Sequence, residues 1–203
     1  MFDRRSVLAR QLAAGGRDGL DARRALTLSE PRGWSLAQLA IFSGPEAAVA
    51  AALRPVLGAE PLPTLPATVA YADRARLYRT AADAWWIVTA EPTLVSTLAR
   101  SVPGTSGTVT DLSHSRVRIA VEGPAARAML GRGICVDLHP LAFAIGQFAQ
   151  TGLHHTAVLL ERSAEARYEL YLPRTFAVSI WEWLIDAALP FGYEIVVGPD
   201  LTA

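Results

Sequence analysis

The sequence contains no lysine and no asparagine, so all 19 of its basic residues are arginine. The absence of lysine excludes Schiff-base catalysis and the phosphate-binding lysine of P-loop enzymes. The absence of asparagine excludes N-glycosylation acceptor sites. A single cysteine, Cys135, excludes an internal disulfide bond and fits a reducing compartment.

An excess of charge of one sign and long apolar runs are also absent. The 19 basic residues balance 19 acidic ones, so the basic footprint typical of nucleic-acid binding is missing. No apolar run is long enough to predict a membrane-spanning helix. The arginine pair near Met1 resembles a twin-arginine signal, but Arg10 and Gln11 interrupt the apolar region that such a signal needs. We therefore expect a cytoplasmic protein with no nucleic-acid or membrane partner.

The composition is that of a folded chain with little surface charge. Of the 203 residues, 51% are hydrophobic and 19% are charged, which excludes intrinsic disorder and allows a sizeable core. Because a typical domain is about 25% charged, the low charge also indicates a surface that a partner protein covers.

Residues 1–32 differ from the rest in composition. They hold seven arginines and four acidic residues, and Gly15, Gly16 and Gly19 interrupt any helix. We therefore predict a loosely ordered N-terminal arm over residues 1–32, which in an assembly could wrap a neighbouring chain. The remaining residues, 33–203, are predicted to form one domain.

Within that domain, the order of strand and helix signals occurs twice. A Gly-Pro pair opens a predicted helix at Gly44 and again at Gly123, and a proline closely followed by threonine does so at Pro92-Thr93 and at Pro173-Arg174-Thr175. The similar offsets predict a duplication: a single α+β domain built from two strand-rich units with two helices each. Coincidence is the alternative, because proline is common at helix starts.

Three clusters have residue types that catalyse reactions or bind metals. Cys135, Asp137 and His139 alternate and would share one face of a strand, but neighbours about 7 Å apart along a strand make a poor tetrahedral chelate. A buried structural cysteine with a turn-forming aspartate and histidine is therefore favoured.

Asp111, Ser113 and His114 have the residue types of a catalytic triad, but adjacency in sequence is not triad geometry. His154 and His155 lie on a predicted strand, where they would face opposite sides. The sequence therefore predicts no catalytic, cofactor-binding or metal-binding residue.

A basic stripe is the best candidate for a contact with another protein. Val117, Ile119 and Val121 alternate with Arg116 and Arg118, so the valines and isoleucine face inward and the arginines outward. Arg116 and Arg118 are predicted to form a subunit interface, and a solvated strand face is the alternative.

Several stretches of the second half carry a family resemblance. They read TDLSHSRVRIAVEGPAAR from Thr110, CVDLHP from Cys135 and FAVSIWEWL from Phe176, together with residues 143–151. In order and spacing these stretches resemble the gamma subunit of heterotetrameric sarcosine oxidase. WSLAQLA from Trp34 matches more weakly.

The resemblance implies a fold like the folate-binding domain of the glycine-cleavage T-protein, which is a duplicated α+β fold. It also implies a non-catalytic assembly subunit, with alpha, beta and delta subunits as partners and alpha in closest contact. In such an enzyme, sarcosine is oxidised to glycine at a flavin on beta, the one-carbon unit passes to tetrahydrofolate at alpha, and hydrogen peroxide forms. FAD, FMN, NAD, tetrahydrofolate and zinc would lie on the other subunits, and this chain would hold no cofactor.

Two alternatives stay open. One is a stand-alone folate-binding one-carbon module of the aminomethyltransferase type, and the other is the equivalent subunit of a related N-methyl amino acid dehydrogenase. The T-protein pattern uses an Asn-Asp pair, and this sequence has no asparagine. A pterin also needs a buried acid paired to its ring, and the sequence singles out no such acid.

Overall fold

The computed structural model describes residues 5–42, 44, 46–58, 62–63, 68–72 and 74–197. The chain divides into two compact units. Gly33–Ser113 form the middle unit, and Met1–Arg32 with His114–Ala203 form the terminal unit. This division differs from the predicted one, an arm over 1–32 and a domain over 33–203, because the N-terminal segment belongs to the same unit as the second half.

The described residues form twelve strands, four α-helices and one 3-10 turn. The strands are β1 (Gly15–Arg17), β2 (Leu26–Ser29), β3 (Ser35–Ile41), β4 (Ala70–Ala72), β5 (Ala75–Ala81), β6 (Ala84–Thr89), β7 (Gly107–Asp111), β8 (Arg116–Glu122), β9 (Phe148–Leu153), β10 (Thr156–Ala164), β11 (Arg167–Pro173) and β12 (Tyr193–Val196). The helices are α1 (Glu46–Leu57), α2 (Leu94–Ser101), α3 (Ala126–Leu130) and α4 (Ala177–Ala188), and the 3-10 turn is Arg174–Phe176. No helix in these ranges is long and apolar enough to cross a membrane.

The middle unit is an antiparallel sheet with two helices packed on one face. Its strand order is β4-β5-β6-β3-β7. Leu39 and Ile87 of the sheet share a core with Leu53 of α1 and Leu98 of α2. Helix α1 contains Pro55 and ends at Leu57, directly before Gly58. Pro45, which belongs to the predicted helix opening at Gly44, lies outside the described residues.

The terminal unit has a larger sheet covered on one face by α3 and α4. Its strand order is β1-β12-β2-β8-β11-β10-β9. Ile119, Leu160 and Leu170 from three neighbouring strands pack with Met129 of α3 and Leu184 of α4. Alternate residues of these strands point to the core, as the period of a pleated strand requires.

The element order agrees with the predicted duplication. The middle unit runs β3-α1-β4-β5-β6-α2-β7, and residues 116–196 run β8-α3-β9-β10-β11-α4-β12. Within the sheets, β4-β5-β6-β3-β7 corresponds to β9-β10-β11-β8-β12, except that β2 is inserted between β8 and β12. The predicted α+β class is confirmed.

The predicted loose arm is corrected by its described part, residues 5–32. Leu8 and Leu28 are fully buried in the core of the terminal unit. Strand β2 pairs antiparallel with β8 and parallel with β12, so it is an internal strand of the sheet. The guanidinium of Arg174 also donates to the carbonyl oxygen of Arg5 at 2.8 Å. The segment is ordered because its few leucines reach the core and its backbone completes two ladders.

In the helix that follows Pro173, helical spacing predicts a core stripe of Phe176, Ile180, Trp183 and Ala187, and the observed buried face of α4 is rotated from it. Ile180 and Ala187 are buried, but Phe176 is half exposed and Trp181 takes the core position instead of Trp183. The reason is that Phe176 belongs to the 3-10 turn, so the helical period begins one residue later.

Candidate functional site

Charged residues line the face of the terminal sheet that points away from its helices. Arg118 and Glu122 of β8, Arg167 and Glu169 of β11, and Glu161 of β10 define this ionic face. Their neighbours along each strand, including Ile119 and Leu170, are core residues, so the strand period places the charged side chains on the opposite side.

Glu169 lies at the centre of the ionic face and is only 1% exposed. One carboxylate oxygen accepts a hydrogen bond from Nε of Arg118 at 2.9 Å, and the other accepts one from Nε of Arg167 at 2.8 Å. Arg167 also donates to Glu122 at 2.6 Å. The Arg118 guanidinium lies 5.7 Å from the ring centre of Tyr171, its partner in register on β11. Both oxygens of Glu169 are therefore used within the chain.

The two arginines keep Glu169 ionised. Burial works to raise the pKa of this carboxyl, but the charges and hydrogen bonds of Arg118 and Arg167 outweigh it and hold the pKa below its usual value. The same pairing holds the pKa of Arg167 above its usual value, against the opposing effect of burial.

A second buried acid lies directly beside the first. Glu161 is fully buried and stands opposite Glu169 in the register of β10 and β11. The two carboxyl groups therefore lie side by side in the most buried part of the ionic face.

The predicted interface residues occupy this same face. Arg118 is 13% exposed and is neutralised by Glu169, so it does not form a solvated stripe. The Arg116 guanidinium donates to the backbone and hydroxyl oxygens of Ser115 at 3.3 and 3.4 Å. Arg116 is partly buried, and this burial lowers the pKa of its guanidinium.

The cluster around Cys135 does not lie on a strand. Asp137 accepts a hydrogen bond from the backbone N–H of His139 at 2.8 Å, which is the predicted turn-forming role. Cys135 is exposed, and the prediction that it is buried is wrong. In the part of the chain that the structure describes, no three His, Cys, Asp or Glu side chains are grouped as metal ligands would be.

The triad-like residues stabilise local backbone. Asp111 accepts from the N–H of Ser113 at 2.8 Å, and the Ser113 hydroxyl accepts from the N–H of Leu36 at 3.0 Å. The two histidines form the hairpin turn between β9 and β10, rather than a strand. His154 has a left-handed φ of 54°, and its ring lies 6.2 Å from that of Trp183.

No sequence motif singles out Glu161 and Glu169. The strand period of residues 157–161 and 168–172 places both on the outward side. An outward side chain on an amphipathic strand is read as solvated, and here that inference fails because the second face is buried as well.

Comparison with known proteins gives the class of this fold. The GCVT N-terminal domain family matches residues 70–197, and the chain belongs to this family. The aminomethyltransferase T of the glycine cleavage system from Bartonella henselae has the same fold, with a TM-score of 0.64 at 18% identity over 96% of this chain and 60% of that one.

Within this class, the chain is similar to proteins of one enzyme, as the resemblance implied. Sarcosine oxidase subunit gamma from Corynebacterium sp. (strain U-96) is 35% identical over 100 residues, and that from Arthrobacter sp. is 36% identical over 104. The matched part spans about half the length of these relatives and half of this chain. A chain of the heterotetrameric sarcosine oxidase from Corynebacterium sp. U-96 matches with a TM-score of 0.79 and 30% identity, over 93% of this chain and 96% of that one.

Proposed function

We propose that this chain is the gamma-type structural subunit of a heterotetrameric sarcosine oxidase. The observation that carries this proposal is the structural match to a chain of that heterotetramer at 30% identity over nearly the full length of both chains. The complex would oxidise sarcosine to glycine, pass the one-carbon unit to tetrahydrofolate and form hydrogen peroxide. The partners would be the alpha, beta and delta subunits, with alpha in closest contact, in the cytoplasm.

In this proposal the chain holds no cofactor and no catalytic group. FAD, FMN, NAD, tetrahydrofolate and zinc would be bound by the other subunits. The contribution of this chain is a preformed surface that stabilises the complex, and Arg116 and Arg118 remain the predicted interface residues.

Folate is the cofactor that the T-protein fold suggests for this chain itself. A carboxylate that recognises a pterin needs oxygens able to accept from the ring. Both oxygens of Glu169 already accept from arginines, and one oxygen of Glu30 accepts from Ser6 and Arg32. The occupied oxygens of Glu169 do not fit a pterin, which supports placing folate elsewhere in the complex.

Glu161 is the buried acid with which we test whether this chain binds folate. We expect tetrahydrofolate to leave the thermal unfolding of the isolated chain unchanged. A bound ligand at 100 times its dissociation constant would add about 2.7 kcal/mol to the stability. Stabilisation of that size, lost in Glu161→Gln, would favour the stand-alone folate module instead.

The assembly role is tested by purifying the tagged chain from its own host. We expect three further subunits in equal amounts, visible flavin absorbance, and hydrogen peroxide formation on adding sarcosine. A colourless chain that elutes alone from cells degrading methylated amines would contradict the proposal. A flavin complex that oxidises N-methylglutamate or a betaine-derived amine, and not sarcosine, would assign the chain to a related dehydrogenase.

A further inference from the structure

The segment over residues 137–147, which we call the apolar loop, exposes aliphatic side chains on the terminal unit. Leu141 is 92% exposed and Ile145 is 57% exposed. Pro140, Ala142 and Ala144 are exposed as well. No Asp, Glu, Lys or Arg occurs in the sequence between Asp137 and Glu161, so this surface lacks the charge that usually accompanies an exposed loop.

A buried arginine holds the apolar loop in place. Arg162 is 5% exposed, and its guanidinium donates to the carbonyl oxygen of Phe143 at 2.9 Å and to that of Glu165 at 2.8 Å. The backbone of Arg162 also pairs with the loop, through Gly146 N–H at 2.8 Å and Gln147 carbonyl at 2.9 Å. Burial of the charged Arg162 side chain is costly and is compensated by these hydrogen bonds, so the loop is tied firmly to β10.

The loop itself consists of successive tight turns around one core residue. The carbonyl of His139 accepts from the N–H groups of Ala142 and Phe143, both at 2.8 Å. The Phe143 side chain is buried in the core. The next turn is closed by the N–H of Gln147 bonding the carbonyl of Ala144, with Gly146 at a φ of 81°. Leu141 and Ile145 are thus held outward on ordered backbone, which lowers the entropy cost of burying them against a partner.

We propose that the apolar loop is a docking element for a partner subunit of a different kind, with Leu141 as its anchor. The inference rests on the proposed function, which supplies the hetero-partner, and the match to a chain of a heterotetramer favours such a partner over a second copy of this chain. Each side of a stable interface buries about 800 Å², and two aliphatic side chains cover far less. The loop therefore fits as one anchor of a wider interface, entering an uncharged apolar pocket of the partner.

The test compares two leucines of equal exposure in the assembled complex. The variant Leu141→Glu is compared with the control variant Leu20→Glu, because Leu20 is 91% exposed in the same unit. Each tagged variant is co-expressed with the other subunits of its host, and the complex is followed through a dilution series by size-exclusion chromatography with mass determination. We expect Leu141→Glu to weaken assembly roughly 30-fold or more, the effect of losing a buried anchor. Leu20→Glu and the conservative Leu141→Met should assemble as the unchanged chain does.

The outcomes separate this inference from the proposed function. If the unchanged chain assembles and Leu141→Glu assembles equally well, the docking role of the loop is refuted and the subunit role stands. If Leu20→Glu weakens assembly as much, the effect is not specific to the loop and the inference also fails. If the unchanged chain forms no hetero-complex, both proposals fall. Thermal unfolding of the isolated Leu141→Glu variant should match the unchanged chain, which confirms that the loss lies in docking.

Discussion

Replacing Arg118 by methionine should destabilise the isolated chain while keeping most of the volume of the side chain. The change leaves the buried Glu169 with Arg167 as its remaining guanidinium partner. Removing one member of a buried ion pair costs about 3–5 kcal/mol when the other is left alone. Because Glu169 keeps Arg167, and because Arg118 is itself 13% exposed, we expect a loss of about 2–3 kcal/mol.

The assay is urea unfolding of the isolated chain near neutral pH, with Arg24→Met as the matched control. Arg24 pairs with Asp18 on the surface of the same unit, where both side chains are well exposed. Exposed pairs contribute about 0–1 kcal/mol, so the control should change little. The double variant Arg118→Met/Glu169→Leu should be more stable than Arg118→Met, because it removes the uncompensated charge as well.

Two results would refute this reasoning. If Arg118→Met unfolds at the same urea concentration as the unchanged chain, Glu169 does not need Arg118. If the double variant loses as much free energy of unfolding as Arg118→Met and Glu169→Leu lose separately and summed, the two side chains do not interact. Either result would show that the pair of Arg118 and Glu169 does not stabilise the fold.

Further results are expected from variants of the isolated chain. The pKa of Glu169 in the folded state lies below its usual value of about 4.5. Its contribution to folding stability is therefore complete above that pH and is lost as the pH falls through the lowered pKa. Acid titration of Glu169→Gln should consequently show a smaller loss of stability. Leu28→Ala in β2 should cost about 2–5 kcal/mol in urea unfolding, and deletion of residues 1–30 should abolish the cooperative transition. Gly133→Ala should cost about 1–3 kcal/mol, because its Cβ would lie 2.5 Å from the ring of Trp183, whereas Gly152→Ala has open space and should cost less.

Most of the strand and helix positions follow from local sequence pattern. The alternation of Val117, Ile119 and Val121 identifies β8 within one residue, and proline at the start of the second helix in each half fixes the order of elements. Strand β2 could not be found in this way. It is four residues long, and its two buried leucines can be recognised as part of a strand only once β8 and β12 are known to flank it. Its strand state is a property of the sheet rather than of the segment.

The ionic face illustrates a different limit. Period-two alternation identifies which side chains leave the helix-covered core, but it does not say what meets them on the other side. Glu161 and Glu169 lie on the side of the strands that alternation places away from the core, and their burial depends on what covers that side. The sequence does not predict the turn at His154 for a third reason. Its left-handed φ occurs at a residue that is neither glycine nor asparagine.

The use of arginine as the sole basic residue connects the ionic face with the apolar loop. A guanidinium spreads its charge over five N–H donors in a rigid plane, whereas an ammonium concentrates it on one atom. Arg162 can be buried because three of its nitrogens donate to backbone carbonyls, namely those of Phe143 and Glu165. Nε of Arg118 donates to Glu169, and the plane of its guanidinium lies near the ring of Tyr171. Both arginines hold groups of this chain in place, and Arg162 does so for the uncharged loop that we propose as a docking element.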